Sequence, residues 1–202
     1  MQILRAGDSR ALPWKNGLGV SSIIASQPPE AGYDSLAWQV STTRIEADCP
    51  FSSLPGLDRQ FMLLEGEGVE LRCKGANGVA DLRRTIDKPF VPFAFSGDWR
   101  TDCRLLAGPV KVFNVLSRRS AVEAWVALLA IETATMLELR SGATLIACVM
   151  SGALDVGTEL GPNDALLFEN DKARLDSVRV AGTPGTRLLT VRIAPRTTSS
   201  GQ

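Results

Sequence analysis

Arg59 and Lys15 are the residues whose chemistry asks for a partner. Arg59 precedes the apolar run Phe61-Met62-Leu63-Leu64, and Lys15 sits between Trp14 and the turn pair Asn16-Gly17. A guanidinium grips a carboxylate through two parallel hydrogen bonds, whereas an ammonium acts as a point charge. Near them in the sequence are two apolar walls, Trp14 and Trp38, and four neutral hydrogen-bonding side chains, Asn16, Gln39, Ser41 and Asn114. Such a set could hold a small anion without reacting with it. Each member also has a plainer reading. Arg59 could pair with the adjacent Asp58, at little gain on a surface. The Trp14-Lys15-Asn16-Gly17 stretch could be a turn alone, since Asn-Gly suits the positive φ angles of a type I′ hairpin. Asn114, among apolar neighbours, could staple backbone, because a buried amide needs partners.

The chain contains no histidine. Ser-His-Asp and Cys-His catalysis are therefore excluded, as are the imidazole-rich sites that hold catalytic zinc or non-haem iron. No tight cluster of cysteines or carboxylates replaces them, so neither a metal, a cofactor nor a catalytic residue is assigned. If the chain is instead a metal-free isomerase or hydrolase, acid–base work falls to Glu, Asp, Lys or Tyr33. Asp98, beside an apolar run, is then the carboxyl whose pKa burial could raise, although Ser96-Gly97-Asp98 also reads as a turn.

With 22 basic and 22 acidic residues the formal charge is zero, which lacks the basic field that nonspecific nucleic-acid binding needs. The longest apolar stretch, 124–131, is too short to span a membrane. The first eight residues lack the basic region and apolar run of a signal peptide, and the four cysteines are widely spaced. A cytoplasmic chain with reduced thiols is expected.

Strands must position these side chains. After the Pro55-Gly56 turn, the apolar run at 61–64 meets a glycine corner, Glu65-Gly66-Glu67-Gly68, and then Val69, Leu71 and Cys73 alternate with Glu70, Arg72 and Lys74. Period-two alternation makes one dry and one wet face, so the stretch is a hairpin. Over 36–45, Leu36, Trp38 and Val40 fall on one face, and Ala37, Gln39, Ser41 and Thr43 on the other. That second face, small and polar, lines a wet cavity in a barrel or meets solvent in a plain sandwich. Turns are expected at Asn16-Gly17 and at Gly75-Ala76-Asn77-Gly78. The charged 80–86 stretch and the Pro-containing 91–95 stretch are expected at edges. The 122–131 stretch stays open between helix and strand, and the polar 195–202 tail is expected to fray.

An internal echo relates the halves. Leu63-Leu64-Glu65-Gly66 through Leu71 resembles Val149-Met150-Ser151-Gly152 through Val156, and Phe93 through Asp98 resembles Leu166 through Asp171. Two short β-barrels in one all-β chain is the economical account.

Several short motifs, in order, resemble the HutD/Ves family: Trp14-Lys15-Asn16-Gly17, Trp38-Gln39-Val40-Ser41, Pro50-Phe51-Ser52, Pro55-Gly56, Asp58-Arg59, Phe95-Ser96-Gly97-Asp98 and Phe113-Asn114 with Arg118-Arg119. The resemblance covers the first half densely. It implies a bicupin, two RmlC-like jelly-roll barrels, divided as 1–119 with the ligand pocket and 120–202, with strands open to exchange between halves. It implies a link to histidine utilisation and an acidic ligand such as N-formylglutamate, held by Trp14, Lys15, Asn16, Trp38, Gln39, Ser41, Arg59 and Asn114. A binding or regulatory role follows, ahead of a metal-independent isomerase or hydrolase and of a protein-interaction subunit; a homodimer stays open. Two positions depart from the family pattern: Gln39 stands where Arg is usual, and Val112 where Asp is usual.

Overall fold

The computed structural model describes residues 1–75, 80–170 and 176–196. Residues 76–78 of the turn expected at 75–78, the end of the second echo at Asp171 and most of the 195–202 tail lie outside the described residues. The chain forms two compact units, Arg10–Ser120 and Met1–Ser9 with Ala121–Gln202. Among the described residues the only helix is a single 3-10 turn, Ala6–Asp8.

In chain order, β1 (Gln2–Leu4) is followed by β2 (Arg10–Pro13), β3 (Val20–Gln27), β4 (Trp38–Ile45), β5 (Cys49–Pro50) and β6 (Leu57–Glu65). Next come β7 (Val69–Lys74), β8 (Leu82–Ile86), β9 (Phe93–Ser96), β10 (Arg100–Leu105) and β11 (Val110–Arg118). The unit Arg10–Ser120 packs a six-stranded sheet, ordered β2-β3-β4-β11-β6-β9, and a four-stranded one, β5-β10-β7-β8. Every pairing is antiparallel. Between the sheets lies an apolar core of Ile45, Phe61, Leu63, Val69, Leu71, Phe95 and Val112. The strands β8 and β9 lie at sheet edges, as their charges and prolines require.

The other unit holds β12 (Val122–Ile131), β13 (Ala134–Leu139), β14 (Thr144–Ser151), β15 (Leu154–Asp155) and β16 (Glu159–Leu160). It closes with β17 (Ala165–Glu169), β18 (Asp176–Gly182) and β19 (Thr186–Pro195). Its sheets run β1-β17-β14-β19-β12 and β13-β18-β15-β16. The order β4-β11-β6-β9 in one unit is thus repeated as β12-β19-β14-β17 in the other, and the echoed corners Gly66 and Gly152 both have positive φ, 100° and 75°. The 122–131 stretch is strand throughout, because β12 pairs with β19 over all ten residues. The chain's first nine residues sit with this second unit, since β1 pairs with β17.

Candidate functional site

Three adjacent strands of the six-stranded sheet aim their polar side chains the same way. Gln39 on β4 is in register with Leu116 on β11, which is in register with Arg59 on β6. One step along, Ser41, Asn114 and Phe61 form the next row. All six line a cavity of about 50 Å³ at the inner face of the sheet. Ser21 on β3 and Thr43 and Ile45 on β4 extend this lining, and loops supply the rest: Tyr33, Phe51, Ser52 and Leu54, with Trp14 from the β2–β3 connection. The uncharged polar face of the 36–45 stretch does line a cavity.

Arg59 dominates the electrostatics. One terminal nitrogen, Nη2, donates to the Ser52 carbonyl, and the guanidinium stands 5.6 Å from the Phe51 ring centre and 5.8 Å from that of Phe95. Its Nε–H is buried without a partner. Among the described residues no carboxylate lines the cavity. Burial pulls the Arg59 pKa down to about 10, against the opposing pull of Tyr33 and Cys73. Asp58, its sequence neighbour, points to the opposite face of the strand and pairs with Arg119 at 2.8 Å. The surface ion pair considered from sequence does not form.

A hydroxyl chain runs beside it. Trp14 Nε1 donates to Ser21 Oγ (3.1 Å), Ser21 and Thr43 share a 2.8 Å hydrogen bond, and Asn114 Nδ2 donates to Thr43 Oγ1 at 3.5 Å. Burial raises the Tyr33 pKa, with Arg59 and a hydrogen bond to Ser21 opposing, so this phenol stays protonated at neutral pH. Gln39 is 1 % exposed, and its Oε1 has no partner.

Of the eight residues assigned from sequence, Trp14, Gln39, Ser41, Arg59 and Asn114 meet at this cavity. Three do not. Trp38 is buried on the other face of β4, as its position next to Gln39 dictates. Lys15 reaches outward to Asp34 at 2.8 Å, with about half of its side chain exposed (48 %). Asn16 staples the loop: its Nδ2 donates to the Pro50 carbonyl (2.8 Å), and its backbone N–H donates to Ser52 Oγ (3.2 Å). The turn there is not the two-residue type expected; Gly17 N–H donates to the Trp14 carbonyl at 2.9 Å, so Lys15 and Asn16 are central and only Gly17 has positive φ. Of the two departures from the family pattern, Gln39 touches the cavity, while Val112 is fully buried in the core.

Tyr33, Ser21, Thr43, Phe51 and Ser52 belong to the site without having been assigned to it. Tyr33 and Phe51 arrive on loops, which carry no periodicity to read. Thr43 was legible, since it shares the face of Gln39 and Ser41.

Asp98 is not an acid with a raised pKa. Its carboxylate accepts from Gly56 N–H (2.7 Å), Ser96 Oγ (2.8 Å) and Arg119 (2.9 Å), and these bonds, the Gly56 one foremost, hold its pKa below the usual value despite partial burial. A carboxyl depressed on folding stabilises fully above its unfolded pKa, near 4, and loses that contribution as pH falls through the folded value. Asp98→Asn should therefore lower the melting temperature at pH 6, with the deficit shrinking as pH drops below about 4. A deficit constant from pH 6 to pH 3 would refute this account.

The donor set does not fit a metal ion. Serine, threonine and amide oxygens beside an unpaired guanidinium offer a dication neither negative charge nor soft ligands.

The HutD family model matches residues 6–186. A curated relative from Pseudomonas putida, an uncharacterized 21.2 kDa protein in the hutC 3′ region, is 36 % identical over 116 residues. That alignment covers 57 % of each chain, so this chain spans little more than half the length of that relative. Two solved structures are similar across nearly all of both chains. One is a conserved protein of unknown function, PA5104, from Pseudomonas aeruginosa PAO1 (27 % identity, TM-score 0.79, 96 % of this chain and 98 % of the other). The second is HutD from Pseudomonas fluorescens SBW25, determined in a formate condition (26 % identity, TM-score 0.77, 97 % and 99 %). A cupin conserved-barrel protein from Leptotrichia buccalis, at 9 % identity and TM-score 0.54 over 87 % and 88 %, shares the fold alone. The all-β bicupin architecture is thereby shown.

Proposed function

The chain belongs to the HutD family, linked to the histidine-utilisation locus, and from that premise we propose that it binds an acidic metabolite of histidine degradation and leaves it unchanged. One observation carries this reading: Arg59 is a half-buried cation with its Nε–H shut off from water, it has no acidic partner among the described residues, and it faces a cavity. A lone buried charge costs several kcal/mol unless something compensates it. A ligand carboxylate is the missing counter-charge. The neighbouring groups are suited to holding and not to turnover, because Tyr33 stays protonated and, among the described residues, no carboxylate or thiol base lines the wall. The ligand class is N-formylglutamate-like, and the role is accessory or regulatory in the cytoplasm. Of the described helices, none is long and apolar enough to cross a membrane.

Thermal shift against N-formylglutamate, formiminoglutamate, glutamate and urocanate tests the proposal. Binding to the native state alone at a hundred times Kd adds about 2.7 kcal/mol, a rise of several degrees. NMR of the ligand after incubation should show it intact. Conversion of any of the four would favour the isomerase or hydrolase reading. No shift with any of them would remove the ligand class.

A further inference from the structure

Two side chains that line the cavity each carry an unsatisfied buried polar atom, and the two are of opposite kind. Among the described buried side chains only the Arg59 Nε–H, a donor, and Gln39 Oε1, an acceptor, lack hydrogen-bond partners. They lie in one row of the sheet, on strands separated by β11 alone, so their Cα atoms are about 10 Å apart. Both side chains line the same hollow. A buried polar atom without a partner costs about 1–3 kcal/mol, and native proteins tolerate few of them. Two side chains on one cavity, one with a donor to place and the other an acceptor, describe the complement of a ligand.

We propose that Gln39 sets the ligand class: the cavity takes a compact carboxylate bearing an O–H or N–H donor next to the acid group, and rejects acids of equal size that lack the donor. This rests on the carboxylate reading of Arg59 and adds a second requirement to it. The acid group meets the Arg59 Nε–H, and the donor on the adjacent carbon meets Gln39 Oε1. Size sets a further limit. A water occupies on the order of 10–15 Å³ of such space, so a cavity of about 50 Å³ admits a head group of only a few heavy atoms. Simple 2-hydroxy acids fit entirely. An N-acylamino acid would place its α-carboxylate and amide N–H there, with its side chain extending outside. A second carboxylate has no place beside Gln39, since two acceptors would face each other.

Selectivity of this kind is strong, because the wrong ligand strands a buried acceptor. The direct probe is glycolate against acetate, which differ by one hydroxyl, with malonate as the dianion control, all at fixed ionic strength and read by calorimetry. For the unmodified protein we expect glycolate to bind about tenfold or more tightly than acetate. In Gln39→Met the ratio falls to about one, with acetate affinity kept within roughly threefold. In Arg59→Met both acids lose measurable binding. Gln39→Glu, a near-isosteric change, places a carboxylate facing Arg59 and should weaken both acids by about a hundredfold or more.

The outcomes separate the two claims. If glycolate and acetate bind equally and both need Arg59, the donor requirement is overturned and the carboxylate reading stands. Malonate binding above glycolate overturns it too, because Gln39 then presents its amide nitrogen. If no carboxylate binds the unmodified protein, both claims fall. Should Gln39→Met not fold, Gln39→Leu carries the same test, since it also removes the acceptor: an unchanged glycolate preference in that variant would overturn the assignment on its own.

Discussion

Replacing Arg59 by methionine should raise the melting temperature of the ligand-free protein by roughly 2–4 °C while abolishing its response to carboxylates. The two effects have one cause. The guanidinium is half-buried, its Nε–H is shut off from water and no acid among the described residues lies beside it, so its desolvation costs up to several kcal/mol. Methionine matches much of its length and carries no charge. Three contacts are lost in exchange: the hydrogen bond to the Ser52 carbonyl and the ring contacts with Phe51 and Phe95. A net hydrogen bond is worth about 1 kcal/mol and a cation–π contact about 0.5–2 kcal/mol. At a half-buried site each ring contact is at the low end of that range, so the losses come to about 2–3 kcal/mol and leave a net gain of about 1 kcal/mol. Calorimetric melting of both forms, with and without N-formylglutamate, decides the matter. A ligand-free variant that melts several degrees lower would mean Arg59 is kept for structure, and the carboxylate reading would lose its support. Arg59→Lys is a useful companion: it retains a charge but loses the planar fork, so binding should weaken about tenfold without vanishing.

Much of this arrangement can be read from local pattern, because strands advertise their faces. Alternation over 69–74 and over 36–45 identifies β7 and β4, and Pro89 and Pro92 place β9 at an edge. The same alternation already separates Trp38 from Gln39: neighbours on a strand cannot share a cavity, so that error lay in ignoring period two. Lys15 is a different case. It lies in a six-residue connection between β2 and β3, where no periodicity fixes direction, and its partner Asp34 is 19 positions away. The strand state of 122–131 was decided by β19, about sixty residues on, which no local window contains. The first nine residues likewise follow β17 and not the stretch that adjoins them. Non-local pairing, and loops that carry Tyr33 and Phe51 to the site, are what sequence pattern left open.

The 51–56 loop is held by a backbone contact that has no room for a side chain, and Gly97→Ala should therefore cost both stability and binding. Gly97 donates its N–H to the Leu57 carbonyl (2.7 Å) and accepts from Leu54 N–H (2.8 Å). A Cβ at this position would stand 2.6 Å from the Leu54 carbonyl oxygen and 2.7 Å from that of Leu57. Both obstacles are backbone, which cannot rotate aside, so the loop must move. Such overpacking costs about 1–3 kcal/mol and occasionally more. The loop also carries Phe51, Ser52 and Leu54 into the cavity, and the Ser52 carbonyl holds the Arg59 fork in place. A shift of about 1 Å in a positioning element commonly costs a hundredfold in function, and we expect a loss of that order in carboxylate affinity. Gly68→Ala is the control: its Cβ would stand 2.3 Å from the Ile86 carbonyl oxygen, and Gly68 has a positive φ of 105°. That clash lies at the β7–β8 side of the sandwich, among residues that do not line the cavity. Gly68→Ala should therefore melt at least as low as Gly97→Ala yet, below its melting point, bind carboxylate with nearly unaltered affinity. Equal loss of affinity in both variants would show that binding tracks overall stability, and the 51–56 loop would then have no particular part in shaping the site.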